Sequence, residues 1–514
     1  MTTRTARWLA AFTGVVSAIV VLGAAELGSL VTGNAGSPIF AVGSLVIDLA
    51  PPGAKDLMIS LFGTGDKAAL LTLLAVIIVA GSAGAGILEL RRPPFGVVVF
   101  GVASLIALIA VLTRAGSTGS DGVPTIIGAV VGVVVLRVAI QRLGVWRSAP
   151  VDGAASSTAR RRFLTITVVA GAAALVAGTG VRIKNSGATV ITEARKALKL
   201  PAPAVASPPV PSGAQLDVSG ISPYITPNKD FYRIDTALVV PNVDADTWTL
   251  KVTGMVENEV EITFAELLKK PLTEHILTLT CVSNDVGGDL IGNARWLGWP
   301  IRELLALAVP KAGADMVLST SIDGFTAGTP LDVLQDEQTD ALLAVGMNGT
   351  PLPVEHGYPV RMVVPGLYGY VSATKWVVEL EVTQFSKAQG YWTPRGWDAM
   401  GPVKLESRID TPKDGARLSS GTTIPIAGVA WCQHIGVKQV ELRVDDGPWN
   451  LATLADSVSA DTWRQWVYQW EPTTGDHTFT VRATDANGQV QTQKYAPPAP
   501  NGAEGWASIG VTVG

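Results

Sequence analysis

Within the first 183 residues the chain carries five long runs without a single charged side chain, at 8–25, 68–88, 95–113, 122–136 and 163–181. In lipid the backbone must satisfy its own hydrogen bonds, so a run of about 20 apolar residues is driven into a helix that crosses the bilayer. Runs 68–88, 95–113 and 163–181 fit that length directly. The first run extends to about Val31 if Glu26 faces its neighbours or the interface, and the fourth reaches Ile140 if Arg137 snorkels. Residues 37–50 are apolar but too short to cross, and are expected to lie on the outer surface or re-enter. Charged residues make up only 16% of the chain, in keeping with a part that lives in lipid.

Arginines set the expected orientation. Arg4 and Arg7 precede the first run, Arg91 and Arg92 separate the second from the third, and Arg142, Arg147, Arg160, Arg161 and Arg162 separate the fourth from the fifth. The opposite loops hold only Lys55, Lys67 and Arg114. The positive-inside rule therefore predicts a multi-pass plasma-membrane anchor with a cytoplasmic amino terminus, and everything beyond about residue 183 outside the cytoplasm. The stretch RRRFLTITVVAGAAALVAGTG at 160–180 reads either as positive-inside arginines before a fifth span or as an uncleaved twin-arginine export signal. All four histidines, His275, His356, His434 and His477, lie beyond the runs, which excludes a bis-histidine haem inside the bundle. The bundle reads as an anchor, with a possible docking surface for lipid or quinone. A net charge of −4 gives no reason to expect nucleic acid as a partner.

The outer half has its own pattern. Residues 184–220 include the proline-rich KLPAPAVASPPVPSGA, expected as an extended tether. From 221 to 405, alternating strands such as TWTLKVTGMV and VELEVT mix with short helical stretches such as FAELLKK and IRELLALA, an α+β pattern. From 406 to 514 short strands and Asp-Gly-type turns, as in VELRVDDGPW, predict an all-β immunoglobulin-like sandwich. Its Trp431, Trp449, Trp463, Trp466 and Trp470 suit mainly a β core. The expected organisation is thus an α-helical transmembrane bundle over 1–183, a linker over 184–220, a catalytic α+β domain and a sandwich.

Two cysteines are too few for a disulfide framework, although one Cys281–Cys432 bridge is arithmetically possible. Cys281 ends an alternating stretch and runs into Asn, Asp and glycines, in LTLTCVSNDVGGDLIGNARW. A buried structural thiol, a nucleophile paired with His275 or His356, and a metal ligand all remain open on the residues alone. The glycines would let a bulky group approach the backbone, and a soft thiolate suits a redox metal.

Several stretches together resemble the sulfite oxidase family of molybdenum–molybdopterin enzymes: TLTCVSNDVGGDLIGNARWLGWPIRELL at 278–305, ALLAVGMNGTPLPVEHGYPVRMVVPGLYGYVSATKWVVELEV at 341–382, and GVAW at 428–431 followed by VELRVDDGPW. The resemblance implies that Cys281 ligates molybdenum and that His356, Arg361, Ser372 and Lys375 hold the pterin and its phosphate. ITPNKDFYRID at 225–235 resembles the early family segment that contacts the pterin and the metal site, which makes Asn228 and Tyr232 cofactor-binding candidates and Arg233 both a binding and a catalytic one. Asp323, in SIDGFTAGTPL, matches a segment facing the site. A buried phosphate needs fixed cations and oriented donors, and these residue types supply them.

The chain also departs from the family. Where sulfite-oxidising members carry an arginine pair after the cysteine, it has Asn284, Asp285 and Val286, and where they carry a tyrosine near the metal it has Val345. Loss of the cations and the added aspartate should weaken binding of a small dianion. The resemblance implies two-electron oxygen-atom transfer on a small sulfur or nitrogen compound, no haem of its own, a separate electron carrier and a possible homodimer through the sandwich. Reduction of an S- or N-oxide on the same scaffold is the alternative within enzymes, and a non-catalytic cell-surface binding module is the alternative outside them.

Overall fold

The computed structural model describes residues 1–32, 37–50, 61–62, 65–114, 119–150, 154–185 and 188–514. The chain divides into two units, Met1–Val190 with Ala237–Asn242, and Ile191–Thr236 with Val243–Gly514.

Among the described residues of the first unit, five helices are long and apolar enough to cross a membrane: Thr3–Gly28, Lys67–Arg91, Phe95–Leu112, Gly119–Ser148 and Ala154–Gly178. They overlap the five uncharged runs, three of them along the whole run. Their packed centre is small-residue rich, with Ala10, Ala18, Ala85 and Ala139 set around Phe100, Leu136 and Phe163. A Cβ on Gly14 would collide with the Ser82 carbonyl and one on Gly86 with the Ala10 carbonyl, so these two glycines let their helices approach backbone to backbone. Large apolar side chains such as Val76, Leu105 and Val130 point outward, the inverse of a water-soluble bundle and the pattern that lipid favours. Arg137 does not simply snorkel. Its guanidinium lies 2.8 Å from the buried Glu89 carboxylate, whose second oxygen accepts from Val97 N at 3.1 Å. Glu26 is buried and accepts from Ser37 Oγ at 2.8 Å. Within 37–50 lies a helix, Pro38–Leu49, of 12 residues. Lys55, counted above on the outer side, falls outside the described residues.

In the second unit the α+β region holds two sheets. The first contains β1 (Thr249–Gly254), β2 (Val260–Thr263), β5 (Met316–Ser321), β6 (Thr326–Pro330) and β10 (Val377–Thr383), in the order β2-β1-β10-β5-β6. The second contains β3 (Thr273–Thr280), β4 (Ile291–Pro300), β7 (Leu342–Met347), β8 (Thr350–Pro351) and β9 (Arg361–Val363), in the order β3-β4-β7-β8 with β9 beside β7. β3 and β4 pair antiparallel from Thr273↔Gly298 to Thr280↔Ile291, and β3 from Ile276 onward and nearly all of β4 are buried. The chain between them, Cys281–Leu290, is closed at its neck by Cys281 N donating to Leu290 O at 2.9 Å. Asn284 Oδ1 braces the same loop by accepting from Leu290 N at 2.8 Å. Cys281 is therefore the first residue past the end of a rigid strand.

The sandwich follows. One sheet places Glu406–Thr411, Ile424–Trp431, Arg464–Trp470 and Thr453–Leu454 side by side in that order, and the other Ala416–Leu418, Ala507–Val513, Gly475–Asp485, Val437–Val444 and Trp449–Leu451. Trp466, Trp470, Phe479 and Val481 fill the core between them. Trp431 and Trp463 instead join Tyr224, Ala214 and Ile291 in a second cluster against the α+β region. Trp449 is only half-buried and meets Trp506 edge-on at 4.9 Å. Arg408 donates to Gly288 O at 2.8 Å, and Gln433 Nε2 donates to Thr278 O. The expected linker is in part helical, at Ala188–Ala197, and the proline-rich stretch after it is not a free tether. Ala204 N donates to Leu272 O at 2.7 Å, Glu274 N to Val205 O at 2.8 Å, and Leu216 N to Gln465 Oε1 at 2.7 Å. Cys281 and Cys432 are both free and buried, so the bridge allowed by the cysteine count does not form.

Candidate active site

Beside Cys281 opens a cavity holding about 900 Å³ of space, part of it open to solvent. Its polar lining includes Tyr232, Asp235, Asp323, His356, Arg361 and Lys375. These residues arrive from four stretches of sequence: the turn before β1, the β3–β4 loop, the β5–β6 turn, and the segment from the 3₁₀ turn at Val354–His356 to Lys375. Gly357, at φ 111°, makes the last convergence possible, because a Cβ there would lie 2.9 Å from Arg361 Cβ and 3.2 Å from Lys375 Cβ.

Burial pushes the Cys281 thiol above its ordinary pKa, although Ser283 hydrogen-bonds it through both main chain and side chain. A thiolate at this position needs a cation to hold it, which is the condition a metal ion meets. Arg361 is buried, and its pKa is lowered by desolvation to about 10, so it stays charged at neutral pH. Its three nitrogens reach only main-chain oxygens, of Met362 at 3.3 Å, His356 at 3.2 Å and Ala373 at 3.3 Å, and its guanidinium sits 5.2 Å above the Trp296 ring. No carboxylate lies within ion-pair distance of it among the described residues. A buried cation with only neutral partners is costly, and an anionic group in the cavity would offset that cost. Two buried polar atoms, Thr280 Oγ1 and Trp296 Nε1, have no hydrogen-bond partner, but neither residue lines the cavity. Thiol and lone cation fit a cofactor that carries both a metal and a phosphate.

His356 is held neutral: burial first and then the charge of Arg361 lower its pKa to about 4. Its Nε2 lies 3.0 Å from Asn228 O. A carbonyl only accepts, so Nε2 carries the proton and Nδ1 is the ring's acceptor. Lys375 Nζ makes a buried ion pair with Asp235 Oδ2 at 2.7 Å and donates to Glu355 O at 3.1 Å. Burial pushes the Tyr232 hydroxyl far above its usual pKa, the nearby Cys281 adds to that, and Arg361 opposes it. Asp323 accepts from Thr236 Oγ1 at 3.3 Å and from Phe325 N at 3.2 Å.

Of the residues expected at the site, Cys281, Tyr232, Asp323, His356, Arg361 and Lys375 line one cavity, and three do not. Asn228 turns its amide away, donating to Met347 O at 3.3 Å and accepting from Asn348 Nδ2 at 2.7 Å, so only its carbonyl, through His356, touches the site. Ser372 is buried with its hydroxyl on Tyr368 O at 3.0 Å, because it ends a helical turn and bonds back along it. Arg233 lies on the half-exposed rim, 3.0 Å from Asp235. Asp285 is exposed and Val345 is wholly buried in β7, and neither lines the cavity.

Sequence reasoning missed two features. One is Asp235, the lysine's partner from 140 residues away. The other is a group of aromatic residues in the lining, Phe325, Tyr370, Trp392 and Trp397. The clue to this group was GYWTPRGWDAMG at 390–401, dense in aromatics around a proline–glycine turn.

Fold and cavity together define a class. Residues 237–392 match the family described as oxidoreductase molybdopterin binding domain, and residues 406–481 match the bacterial Ig domain. The first of these matches and the relatives below make the α+β region similar to the molybdopterin-binding oxidoreductases of the sulfite oxidase family. Mitochondrial sulfite oxidase of Macaca fascicularis is 30% identical over 326 residues, covering 53% of this chain and 58% of that protein. Sulfite oxidase of Arabidopsis thaliana is 26% identical over 305 residues, covering 48% of this chain and 76% of that protein. Among solved structures, the sulfane dehydrogenase SoxCD from Paracoccus pantotrophus matches with a TM-score of 0.49 and 23% identity, over 55% of this chain and 80% of that one. The chain thus spans under two thirds of the length of the mammalian relatives.

Proposed function

We propose that the protein is a membrane-anchored molybdenum–molybdopterin oxidoreductase that acts on a small sulfur or nitrogen compound at the outer face of the plasma membrane. One observation carries this reading: a cysteine thiol and a buried arginine without a carboxylate partner share a single cavity. Cys281 would ligate the metal as a thiolate, at the rigid end of β3. Arg361 would face the cofactor's phosphate, with Lys375 as a second cation whose charge Asp235 tempers. His356, neutral and donating to Asn228 O, and the Tyr232 hydroxyl would bound the pterin. When bound, the cofactor supplies two-electron redox chemistry and oxygen-atom transfer, while these side chains bind and orient it and exclude water. Electrons would pass to or from a separate carrier. Five apolar helices support the anchor, and the arginine distribution supports the outward orientation.

Metal analysis of the purified full chain tests the reading. About one molybdenum per chain is expected, with a visible spectrum that Cys281→Ser abolishes or shifts. A metal-free protein from cells competent to make the cofactor would instead indicate the binding module. Protease accessibility in intact spheroplasts tests the orientation, since residues beyond 183 should be cut from outside.

A further inference from the structure

The bundle treats its arginines in two ways. Arg137, midway along the helix Val123–Ser148, is given a carboxylate, Glu89, at 2.8 Å. Arg142, Arg147, Arg160, Arg161 and Arg162 gather where that helix ends and the helix Ala154–Asn185 begins. All five are exposed and make no ion pair or hydrogen bond among the described residues. Between Asp121 and Glu193 the chain holds one acidic residue, Asp152, which lies outside the described residues. Unpaired cations gathered at one end of an apolar bundle make a strongly positive surface.

Two of these arginines converge. Arg142 and Val145 of the first helix and Ala155, Thr158, Ala159 and Arg162 of the second line a crevice holding about 700 Å³ of space, part of it open to solvent. The spacing of the second set, i, i+3, i+4 and i+7, puts it on one face of its helix. Thr158 Oγ1, like the two guanidinium groups, has no hydrogen-bond partner among the described residues. Two guanidinium forks and a hydroxyl are donors that suit a phosphate, and the alanines between them leave room for it to approach. Further along the same two helices the exposed side chains are apolar, Val134, Val168 and Val169 among them. An occupant with an anionic head and an apolar body satisfies both surfaces. Arg160 and Arg161 line a second, wider crevice, and Arg147 lines neither.

We propose that the crevice between these two helices is a binding site for an anionic phospholipid, whose headgroup phosphate is held by Arg142, Arg162 and Thr158. Basic pockets between membrane helices recognise lipid headgroups in this way. A general field of positive charge would use the five arginines alike, whereas a site uses the two that line the crevice. This inference rests on the membrane anchor proposed above and goes beyond it.

The test uses the full-length protein in detergent, titrated with dioleoylphosphatidylglycerol, with dioleoylphosphatidylcholine and with inorganic phosphate, and read by native mass spectrometry. The phosphatidylglycerol should bind saturably and more tightly than the phosphatidylcholine. Arg142→Lys and Arg162→Lys keep the charge, and with it the topology signal, but remove the fork. Each should weaken phosphatidylglycerol binding about tenfold, the loss of one charge-assisted hydrogen bond. Arg147→Lys, at the same end but outside the crevice, should change nothing. Thr158→Val, an isosteric change at an exposed position, should weaken binding about threefold and stands in if the lysine variants do not fold. Equal binding of the two lipids, wild-type affinity in the lysine and valine variants, or displacement of the lipid by an equal concentration of inorganic phosphate overturns the lipid site and leaves the anchor in place. A protein that stays in solution without detergent overturns both.

Discussion

Asp235 and Lys375, 140 residues apart in sequence, form an ion pair of 2.7 Å inside the cavity that holds Cys281. Burial lowers the lysine's pKa from 10.5 to about 8, and the aspartate opposes that pull. The folded pKa lies below the unfolded one, so the unfolded chain binds more protons between those values and stability rises with pH across that window. Asp235→Asn strands the ammonium. It should cost roughly 3 kcal/mol at pH 6, where the lysine is charged, and much less at pH 9, where the wild-type lysine is already largely neutral. Thermal midpoints of the metal-free protein at the two pH values measure this, and an equal loss at both would refute the pairing.

Arg361 poses the opposite case. In the cofactor-free protein it is a buried charge facing only carbonyls, so Arg361→Met should leave the thermal midpoint unchanged or raise it. The same change should cut molybdenum content to roughly a tenth or less, because removing a charge-assisted contact to phosphate costs a tenfold or greater loss of affinity. Stability and occupancy are expected to move apart. A variant that lost both together would mark Arg361 as a structural residue.

Much of this arrangement was legible in the sequence, for definable reasons. The five long apolar helices follow from composition alone, since uncharged runs of that length favour a helix. Cys281, His356, Arg361 and Lys375 sit on or next to short strands and tight turns, where local pattern fixes position, and they converge as expected. Asn228 and Ser372 failed because position is not direction. Each is near the site, but a turn or helix end captures its side chain first. The Asp235 partnership and the aromatic group in the lining are tertiary facts, made by chain segments far apart, and no periodicity announces them. The same is true of Asp461, which comes from the sandwich to meet a histidine 186 residues earlier.

That aspartate yields a pH prediction. Asp461 lies 3.2 Å from His275 Nε2 and 3.0 Å from His434 Nδ1, and the cluster continues to Asp340 and Arg302. Burial opposes ionisation of Asp461, but the two histidine hydrogen bonds outweigh it and hold the carboxyl well below its ordinary 3.8. The bond to Asp461 raises His434 above 6.5 despite partial burial. Stability from the raised histidine is present below 6.5 and lost as pH rises through its folded pKa. Stability from the depressed aspartate is present above 3.8 and lost as pH falls through its own. The contribution is therefore whole between about 4 and 6.5. The thermal midpoint should decline from pH 6 to pH 8, and His434→Gln should flatten that decline, at a cost of roughly 0.5 kcal/mol for a part-exposed pair.

Tyr370 links the aromatic group in the lining to the rest of the fold. Its ring belongs to that group, and its hydroxyl reaches Asp398 O at 2.8 Å and Met400 O at 3.3 Å, fastening the segment that carries Trp397. Tyr370→Phe keeps the ring and removes only the fastening, a loss of about 1 kcal/mol of stability. The thermal midpoint should therefore fall by a few degrees, while molybdenum content stays unchanged because the ring that lines the cavity is kept. Midpoint and molybdenum content measured side by side check this. An unaltered midpoint would show that the hydroxyl does not fasten the segment, and a loss of molybdenum at an unaltered midpoint would move its role into the site.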